Sequence, residues 1–419
     1  MKTYTLAVLG CGNRGCAYAM KISETKSNFL FTALCDIEYS EMERLQREAA
    51  VSVSALFTDE EEFFKEKRAD ALIIATPDRD HVPQAIKAMR LGYDILLEKP
   101  ISDSKEEIEQ LLKTQEETGR QIIVCHVLRY GPGYRKCAEI LDSGKLGGLY
   151  GIDASERVRY WHWAQAYVRG IGASAELAHP TILAKCSHDL DLIQSYAKSE
   201  CDTISSIGDL RFFCPENAPE GAADRCVDCI HIDTCPYSAK KIYIDAWHKE
   251  GKPLFNYPYY KVSTVYPHTE EVLMDGIRTG ENGRCVFKCK VDKVDHQFVQ
   301  MTFKNGVKAS LKMVYAHEAG RRLTFYCTHG ELIYDARDEK IEVRVFGEKT
   351  EIINLGNLIE DGSAHGGGDI VLSRAFCDMI EGNAPCPTTL KESVECHLMG
   401  IAAEESRKSG GALIKVHKS

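Results

Sequence analysis

Short apolar runs alternate with amphipathic segments over the first third of the chain. Apolar runs at residues 4–9, 29–36, 71–75, 94–98 and 121–127 predict strands, and segments at residues 16–24, 40–50, 60–67, 81–91 and 104–118 predict helices between them. This alternation is typical of a parallel sheet covered by helices. We therefore predict an α/β domain over residues 1–127.

Beyond residue 150 the pattern changes to strands that follow one another directly. Asn305 and Gly306 separate two runs at residues 299–304 and 307–314, which is a strong hairpin signal. Further strands are predicted at residues 322–327, 331–335 and 341–346, and helices at residues 180–197, 369–381 and 390–408. We predict a second α/β domain over residues 128–419 with a largely antiparallel sheet and a cysteine-rich insertion at about residues 211–240.

Composition excludes several classes of protein. Hydrophobic residues make up 44% and charged residues 27% of the 419 positions, which is typical of a globular protein. The 62 acidic and 52 basic residues leave a net charge of -10, which argues against a nucleic-acid partner. No apolar run approaches the roughly 20 residues that span a membrane, and the first run is too short for a secretory signal. We expect a cytoplasmic protein with mostly reduced cysteines.

Three glycines spaced as G-x-G-x-x-G follow the first predicted strand at once. Gly10 allows a tight turn, Gly12 lets a pyrophosphate approach the backbone, and Gly15 lets the helix pack closely on the strand. Asp36 ends the second strand, where a carboxylate binds ribose hydroxyls and repels a 2′-phosphate. The pattern predicts a Rossmann domain that prefers NAD to NADP, with an ordinary glycine turn as the alternative. The cofactor-binding residues predicted here are Gly10, Gly12, Asn13, Arg14, Gly15 and Asp36.

Glu98, Lys99 and Pro100 stand at the end of another predicted strand, where open α/β sheets bind their ligands. An ammonium group at this place lies near the nicotinamide end of the cofactor. There it polarises a substrate hydroxyl and stabilises the alkoxide that precedes hydride departure. Without further context, a lysine beside a glutamate is more often a surface ion pair.

Four motifs occur in an order that is typical of one family. They are Val8-Leu9-Gly10-Cys11-Gly12, Ala75-Thr76-Pro77 with His81, Glu98-Lys99-Pro100 and His188-Asp189-Leu190-Asp191. The chain thereby resembles the glucose-fructose oxidoreductase and inositol dehydrogenase family (Gfo/Idh/MocA) over nearly its whole length. The resemblance implies NAD(P)-dependent oxidation or reduction of a sugar or cyclitol, an open sheet that lines the substrate site, and a homo-oligomer, either dimer or tetramer. It implies that Lys99 is catalytic and adds Thr76, Pro77, His81, Glu98 and Lys99 to the cofactor-binding residues.

A predicted helix of the second domain carries further catalytic candidates. Lys185, His188 and Asp189 share one face because they are three and four positions apart, which on its own is more typical of a solvated face. The resemblance makes His188 a base that acts with the lysine of the Glu-Lys-Pro motif. Related inositol dehydrogenases have an aspartate four residues before this histidine, where this chain has Ala184. Lys185, one residue later, is the candidate to take part instead.

Substrate-binding candidates follow from a resemblance to a glycoside-acting branch of the family, which has Tyr-Trp-His and Val-Arg-Gly motifs. Histidine and arginine donors beside aromatic rings suit a polyhydroxylated ring, whose faces stack and whose hydroxyls form hydrogen bonds. The candidates are His126, Arg129, Tyr130, His162, Arg169, Asp189 and His365. Gln165 stands where that branch often has a histidine, so the substrate preference of the branch does not transfer directly to this chain. Packing residues of an ordinary loop are the alternative interpretation.

Four cysteines cluster in the predicted insertion. Cys226 and Cys229 form a C-x2-C pair, Cys235 follows them, and Cys214 precedes them. Four thiolates in a loop with little apolar content predict a structural zinc site, with free thiols as the competing interpretation. His231 is an alternative to Cys214 as the fourth ligand. A catalytic metal is not expected, because four thiolates leave no open coordination position.

Three functions are compatible with these residues. The first is an NAD-dependent dehydrogenase of a sugar, cyclitol or glycoside, in which Lys99 and His188 handle the hydroxyl proton. The second is an NAD-recycling glycosidase that oxidises C3 transiently, eliminates the aglycone, adds water and reduces the ketone again. The third is a non-catalytic NAD or sugar sensor. Net NADH production separates the first from the second, and the first is the favoured interpretation.

Overall fold

The computed structural model describes residues 2–254, 257–356 and 366–417, which contain two sheets. The first sheet comprises β1 (Tyr4–Leu9), β2 (Phe29–Cys35), β3 (Ala55–Phe57), β4 (Ala71–Ile74), β5 (Asp94–Leu97) and β6 (Ile122–Val124). Its helices are α1 (Asn13–Thr25), α2 (Tyr39–Glu48), α3 (Glu60–Phe63), α4 (His81–Arg90) and α5 (Lys105–Thr118). The strands are parallel in the order β3-β2-β1-β4-β5-β6. The order reverses between β1 and β4, where sheets of this kind bind ligands at their carboxyl ends.

Within the described ranges, the second sheet has nine strands in the order β14-β13-β12-β11-β7-β10-β9-β8-β15. They are β7 (Leu149–Arg159), β8 (Cys201–Ile207), β9 (Gln297–Phe303), β10 (Lys308–Ala316), β11 (Gly320–Cys327), β12 (Gly330–Asp335), β13 (Lys340–Val345), β14 (Glu351–Asn354) and β15 (Ile414–Lys415). The remaining helices are α6 (Pro132–Asp142), α7 (Tyr160–Trp163), α8 (Thr181–Ala197), α9 (Ala246–Lys249), α10 (Glu270–Thr279), α11 (Gly368–Glu381) and α12 (Leu390–Lys408). Only β7 and β10 pair in parallel, so the prediction of a largely antiparallel sheet is confirmed.

The predicted hairpin is the β9–β10 connection. Gly306 has a φ of 95°, a left-handed conformation that glycine adopts without strain, and Lys308 pairs with Thr302 across the turn. Next to β10 lies β7, whose residues alternate between a buried and a more exposed side. Glu156 stands on the buried side among Ile152, Ala154 and Val158. The alternation therefore places one carboxylate inside the protein.

Helices α8 and α12 pack against each other, and α12 also contacts both sheets through β6 and β8. The predicted apolar stripe of α8 is confirmed, because Cys186, Leu190, Ile193 and Ala197 are all buried. Their burial fixes the rotation of α8, so its polar residues Lys185 and Asp189 are directed toward β7 and β11. Within the described residues, we find no helix with the length and apolar content needed to span a membrane.

Candidate active site

The three motif glycines have the geometry that their predicted roles require. Gly10 has a φ of 87°, and a Cβ atom there would lie 2.6 Å from the Ala75 carbonyl carbon. A Cβ atom on Gly15 would lie 2.0 Å from the Gly10 oxygen, so the helix contacts the turn directly. A Cβ atom on Gly12 would meet nothing within 4 Å. Gly12 therefore faces open space beside the N-terminus of α1, where the N–H groups and the helix dipole favour a pyrophosphate.

Asp36 follows β2 and lies against the glycine turn. Its Oδ2 accepts a hydrogen bond from the Cys11 N–H at 2.7 Å, and its Oδ1 accepts one from the Glu38 N–H at 2.9 Å. Burial raises the pKa of Asp36, while these two hydrogen bonds oppose the rise. The carboxylate is thus oriented beside the turn, where it fits ribose hydroxyls. The glycines and Asp36 together fit an NAD molecule.

Arg14 stands in the first turn of α1 and pairs with two carboxylates. Its guanidinium points inward and forms ion pairs with Glu98 at 2.8 Å and Asp369 at 2.6 Å. These two carboxylates raise the pKa of Arg14 against the effect of burial, together with the nearby hydroxyl of Tyr18. Arg14 thereby links α1, the end of β5 and α11, and its direct contact with a cofactor stays a prediction.

His81 ties together two loops at the carboxyl edge of the first sheet. Its Nδ1 lies 2.7 Å from the Pro100 carbonyl oxygen, and its Nε2 lies 2.9 Å from that of Thr76. Thr76 in turn donates its hydroxyl to Gln84 at 2.6 Å, and Pro77 precedes the turn that leads into α4. These residues hold the loops that flank the cofactor groove, and their direct contact with a cofactor stays a prediction.

Lys99 connects the end of β5 to α8. Its Nζ donates a hydrogen bond to the Ala184 carbonyl oxygen at 2.7 Å, and its N–H donates one to the buried Glu98 carboxylate at 2.9 Å. Burial lowers the pKa of Lys99, although the carboxylates of Glu98 and Asp78 oppose this effect. The ammonium group therefore lies at the predicted carboxyl edge, against the helix that carries His188.

The polar face of α8 divides between two neighbours. The His188 side chain is buried, with its ring 6.2 Å from the ring of His126. The Lys185 Nζ lies 3.0 Å from Glu156 Oε1, and Asp189 forms a two-pronged pair with Arg321 at 2.8 and 3.1 Å. Lys185 and Asp189 therefore pair with β7 and β11, rather than forming one set with His188.

Glu156 and Arg321 are site residues that sequence reasoning missed. They face each other across β7 and β11, and their closest nitrogen and oxygen are 3.0 Å apart. Burial alone would raise the pKa of Glu156, but Arg321 and Lys185 lower it below its ordinary value. All three side chains line a cavity of about 350 Å³, whose size is typical of a small-molecule pocket. The only sequence signal was an acidic residue at an inward position of an alternating strand.

Several predicted substrate ligands have other partners. Arg129 forms a two-pronged pair with Asp191 at 2.6 and 2.7 Å, and Tyr130 bonds the Thr388 hydroxyl. Arg169 donates to the carbonyl oxygens of Arg284 at 2.8 Å and Tyr237 at 2.7 Å. Each of these side chains thus satisfies a carboxylate, hydroxyl or carbonyl of the protein, and its contact with a substrate stays a prediction.

The predicted histidines differ in what they reach. His126 is fully buried, with its Nε2 3.8 Å from Asp191, so it packs behind His188 inside the protein. His162 contacts the hydroxyl of Tyr257, and burial followed by the charge of Lys185 lowers its pKa to about 3. His162 is therefore neutral and close to the charged cluster. His365 lies outside the described residues.

The four predicted zinc ligands are not brought together. Cys214 hydrogen-bonds within its own turn and lines a cavity with Asp295 and His296. Its three predicted companions line a different cavity inside the insertion, as do the side chains of Cys285 and His231. The expectation for Cys214 therefore needs correction, because its turn lies against the second sheet.

The first sheet matches a known family of proteins. The GFO_IDH_MocA family, an oxidoreductase family with an NAD-binding Rossmann fold, matches residues 4–126. YteT of Bacillus subtilis, which is named an oxidoreductase, is 22% identical over 335 residues, or 78% of this chain and 75% of that protein. The inositol 2-dehydrogenase of Rubrobacter xylanophilus is 24% identical over 200 residues, which cover 48% of this chain and about half of that enzyme, 54%.

A solved structure has a similar fold over the whole length. Levoglucosan dehydrogenase, in complex with NADH and levoglucosan, superposes with a TM-score of 0.73 and 13% identity, covering 100% of both chains. The fold, the glycine turn and the lysine at the carboxyl edge define an NAD-binding oxidoreductase. Residues 4–126 match the Gfo/Idh/MocA family model, which confirms the resemblance noted in the sequence for this part of the chain.

Proposed function

We propose that this protein transfers a hydride between a hydroxyl-bearing carbon of a sugar or cyclitol and the nicotinamide of NAD. The observation that carries the proposal is the position of Lys99, whose ammonium joins the carboxyl end of β5 to the backbone of α8 beside His188. The names of an inositol 2-dehydrogenase and a levoglucosan dehydrogenase among its relatives and structural neighbours support a polyhydroxylated substrate.

Each step that the chain performs can be assigned to a residue. Gly12 and the first turn of α1 bind the pyrophosphate, and Asp36 accepts hydrogen bonds from ribose hydroxyls. NAD, when bound, supplies the hydride acceptor or donor. Lys99 donates a hydrogen bond to the reacting oxygen and stabilises its developing negative charge, while His188 takes up the hydroxyl proton.

The surroundings of Lys185 favour a sugar-sized, hydroxyl-rich ligand. The neutral His162 ring and the indole of Trp161 offer a donor, an acceptor and an aromatic face, with Tyr257 beside both. Lys185 and Arg321 line the adjoining cavity, where their paired charges orient hydroxyl groups. Such a mixture of fixed polar groups and aromatic rings suits a small carbohydrate.

The test uses the purified chain with NAD and a panel of cyclitols, sugars and aryl glycosides, following NADH absorbance and aglycone release together. Lys99→Met should abolish NADH formation while NAD still binds. The matched control is Lys113→Met on the exposed side of α5, which should leave turnover unchanged. Aglycone release without net NADH would favour the recycling glycosidase instead, and NAD binding without turnover of any substrate would favour a sensor.

We also propose a homo-oligomer. Phe298, Tyr150 and Tyr326 of the second sheet expose 39%, 55% and 37% of their surface, which leaves aromatic area available to a second copy. Light scattering coupled to size exclusion measures the mass directly. A mass of 46.9 kDa at micromolar concentration, equal to one chain, would refute this proposal.

A further inference from the structure

A small cavity in the cysteine-rich insertion is surrounded by thiols. Cys226, Cys229, Cys235 and Cys285 line it, and its volume is about 20 Å³. That volume is close to the space of one water molecule, and so of a single ion. All 17 cysteines of the chain are free thiols, so these four are not used in disulfides.

Backbone contacts explain why Cys285 joins the other three. Arg225 and Arg284 form an isolated antiparallel bridge, and the Cys285 N–H donates to the Asp224 carbonyl at 2.8 Å. This pairing places Cys285 beside Cys226 although 58 positions separate them in the chain. A tight turn then brings Cys229 back, with its N–H donating to the Cys226 carbonyl at 3.3 Å.

A buried cation in the same wall is an independent observation. Arg169 is 5% exposed, and its Nη2 lies 3.5 Å from Cys226 Sγ. Its other hydrogen bonds go to backbone carbonyls, and its Nη1 has no partner among the described residues. In the part of the chain that the structure describes, Arg169 has no carboxylate partner, and its guanidinium contacts carbonyl oxygens and the Cys226 sulfur. A buried guanidinium without a counter-charge is costly, so the site calls for negative charge near the sulfurs.

We propose that Cys226, Cys229, Cys235 and Cys285 bind one structural Zn²⁺ ion. Four thiolates around a divalent cation carry two net negative charges, which supply the counter-charge for Arg169. Zinc prefers tetrahedral thiolate ligands at about 2.3 Å, and a cavity of one ion's size does not admit an iron–sulfur cluster. The proposal does not depend on the proposed function.

The sulfurs must move inward to bind the ion. Tetrahedral zinc–sulfur bonds of about 2.3 Å place sulfurs about 3.8 Å apart. Among the described residues, no three of these thiols have sulfurs within 4.8 Å of one another. Rotation of the cysteine side chains about their Cα–Cβ bonds is the movement that the proposal requires.

Zinc would therefore fix the insertion against the rest of the second domain. Tyr237, two residues after Cys235, packs its ring 5.9 Å from that of Tyr160, which stands two positions before His162. Loss of the ion should loosen this packing and weaken substrate binding. It should leave the affinity for NAD unchanged, because the glycine turn belongs to the other sheet.

The experiment measures the metal content of the wild-type protein by elemental analysis after purification without added zinc. The same measurement is then made on two single variants. Wild type should hold about one zinc per chain, Cys285→Ser should hold little, and Cys214→Ser is the matched control that should keep the full amount. Tetrahedral thiolate absorption after replacement by Co²⁺ checks the ligand type. NAD affinity, measured in parallel, separates this proposal from the function of the active site.

Each contrary result overturns the proposal. These results are folded wild type without metal, iron with acid-labile sulfide, or loss of zinc from Cys214→Ser but not from Cys285→Ser. If Cys285→Ser does not fold, zinc release from wild type is followed as a mercurial titrates the thiols. Zinc release should then be complete when four thiols have reacted with the mercurial. Zinc that stays bound throughout the titration refutes the site.

Discussion

The buried carboxylate of Glu156 offers the sharpest test of how the second domain supports the site. Glu156 is 3% exposed, with Lys185 and Arg321 each 3.0 Å from its oxygens. Glu156→Gln keeps the shape of the side chain but removes its charge. Arg321 retains Asp189 as a partner at 2.8 Å, whereas Lys185 has no other carboxylate partner among the residues that the structure describes.

The expected loss is about 3–5 kcal/mol, the typical cost of removing one partner from a buried pair. At roughly 2–4 °C per kcal/mol for a domain of this size, thermal unfolding should begin about 6–20 °C lower. Lys185 loses its only described carboxylate, so its ammonium is no longer held at the cavity wall. We therefore also expect KM to rise for the substrate, measured by NADH formation.

Asp153→Asn is the matched control, because Asp153 stands on the same strand but on its more exposed side. Its pair with Lys312 is 3.1 Å long, and the two side chains are 36% and 43% exposed, so the expected loss is at most about 1 kcal/mol. Equal unfolding temperatures for the two variants would refute the buried-pair argument.

The effect of pH on Glu156→Gln has a defined sign. Because the pKa of Glu156 is lowered in the folded chain, its contribution is fully present above the ordinary glutamate pKa of about 4.3. That contribution is lost as the pH falls through the lowered value. The stability difference between wild type and the variant should therefore shrink in acid and stay constant from pH 6 to about pH 8.

The cofactor turn and the catalytic lysine give three further expected outcomes. Asp36→Ala should bring the Kd values of NAD and NADP closer together, because the charge that repels a 2′-phosphate is gone; equal affinities in wild type would contradict this. Lys99→Ala should lower kcat by about 10²- to 10⁴-fold with NAD binding intact by calorimetry, whereas loss of NAD affinity alone would make Lys99 a cofactor ligand. Gly15→Ala should destabilise the fold, since its Cβ would lie 2.0 Å from a backbone oxygen, while Gly12→Ala should keep the Tm and weaken NAD binding. A Gly12→Ala variant with normal NAD affinity would place the pyrophosphate elsewhere.

Features that depend on short stretches of chain could be predicted from the sequence. The roles of Gly10, Gly12 and Gly15 follow from one turn of backbone, and the structure bears out the space around each. The apolar stripe of α8 and the hairpin at Gly306 are also local patterns. In each case, neighbouring residues alone decide the geometry.

Contacts between residues that are distant in the sequence could not be predicted from it. Glu156 meets Arg321 only because β7 lies beside β11, a neighbourhood that no local pattern specifies. The strand β7 itself was missed, since polar and charged residues interrupt it and leave no apolar run. The sequence of a basic residue does not show whether its side chain faces a ligand or a buried group, so the ion pair of Arg129 with Asp191 could not be predicted either.

Ala184 shows how a departure from a motif can still serve the chemistry. The Ala184 carbonyl accepts a hydrogen bond from Lys99 at 2.7 Å, which orients the ammonium without adding a charge. Burial therefore outweighs the attraction of Glu98 and Asp78, and the pKa of Lys99 stays below its ordinary value. A lowered pKa makes the ammonium a stronger hydrogen-bond donor to the reacting oxygen, which is the role proposed for Lys99 beside His188. Because every residue has a backbone carbonyl, this hydrogen bond to Lys99 does not require the aspartate that related inositol dehydrogenases have at position 184.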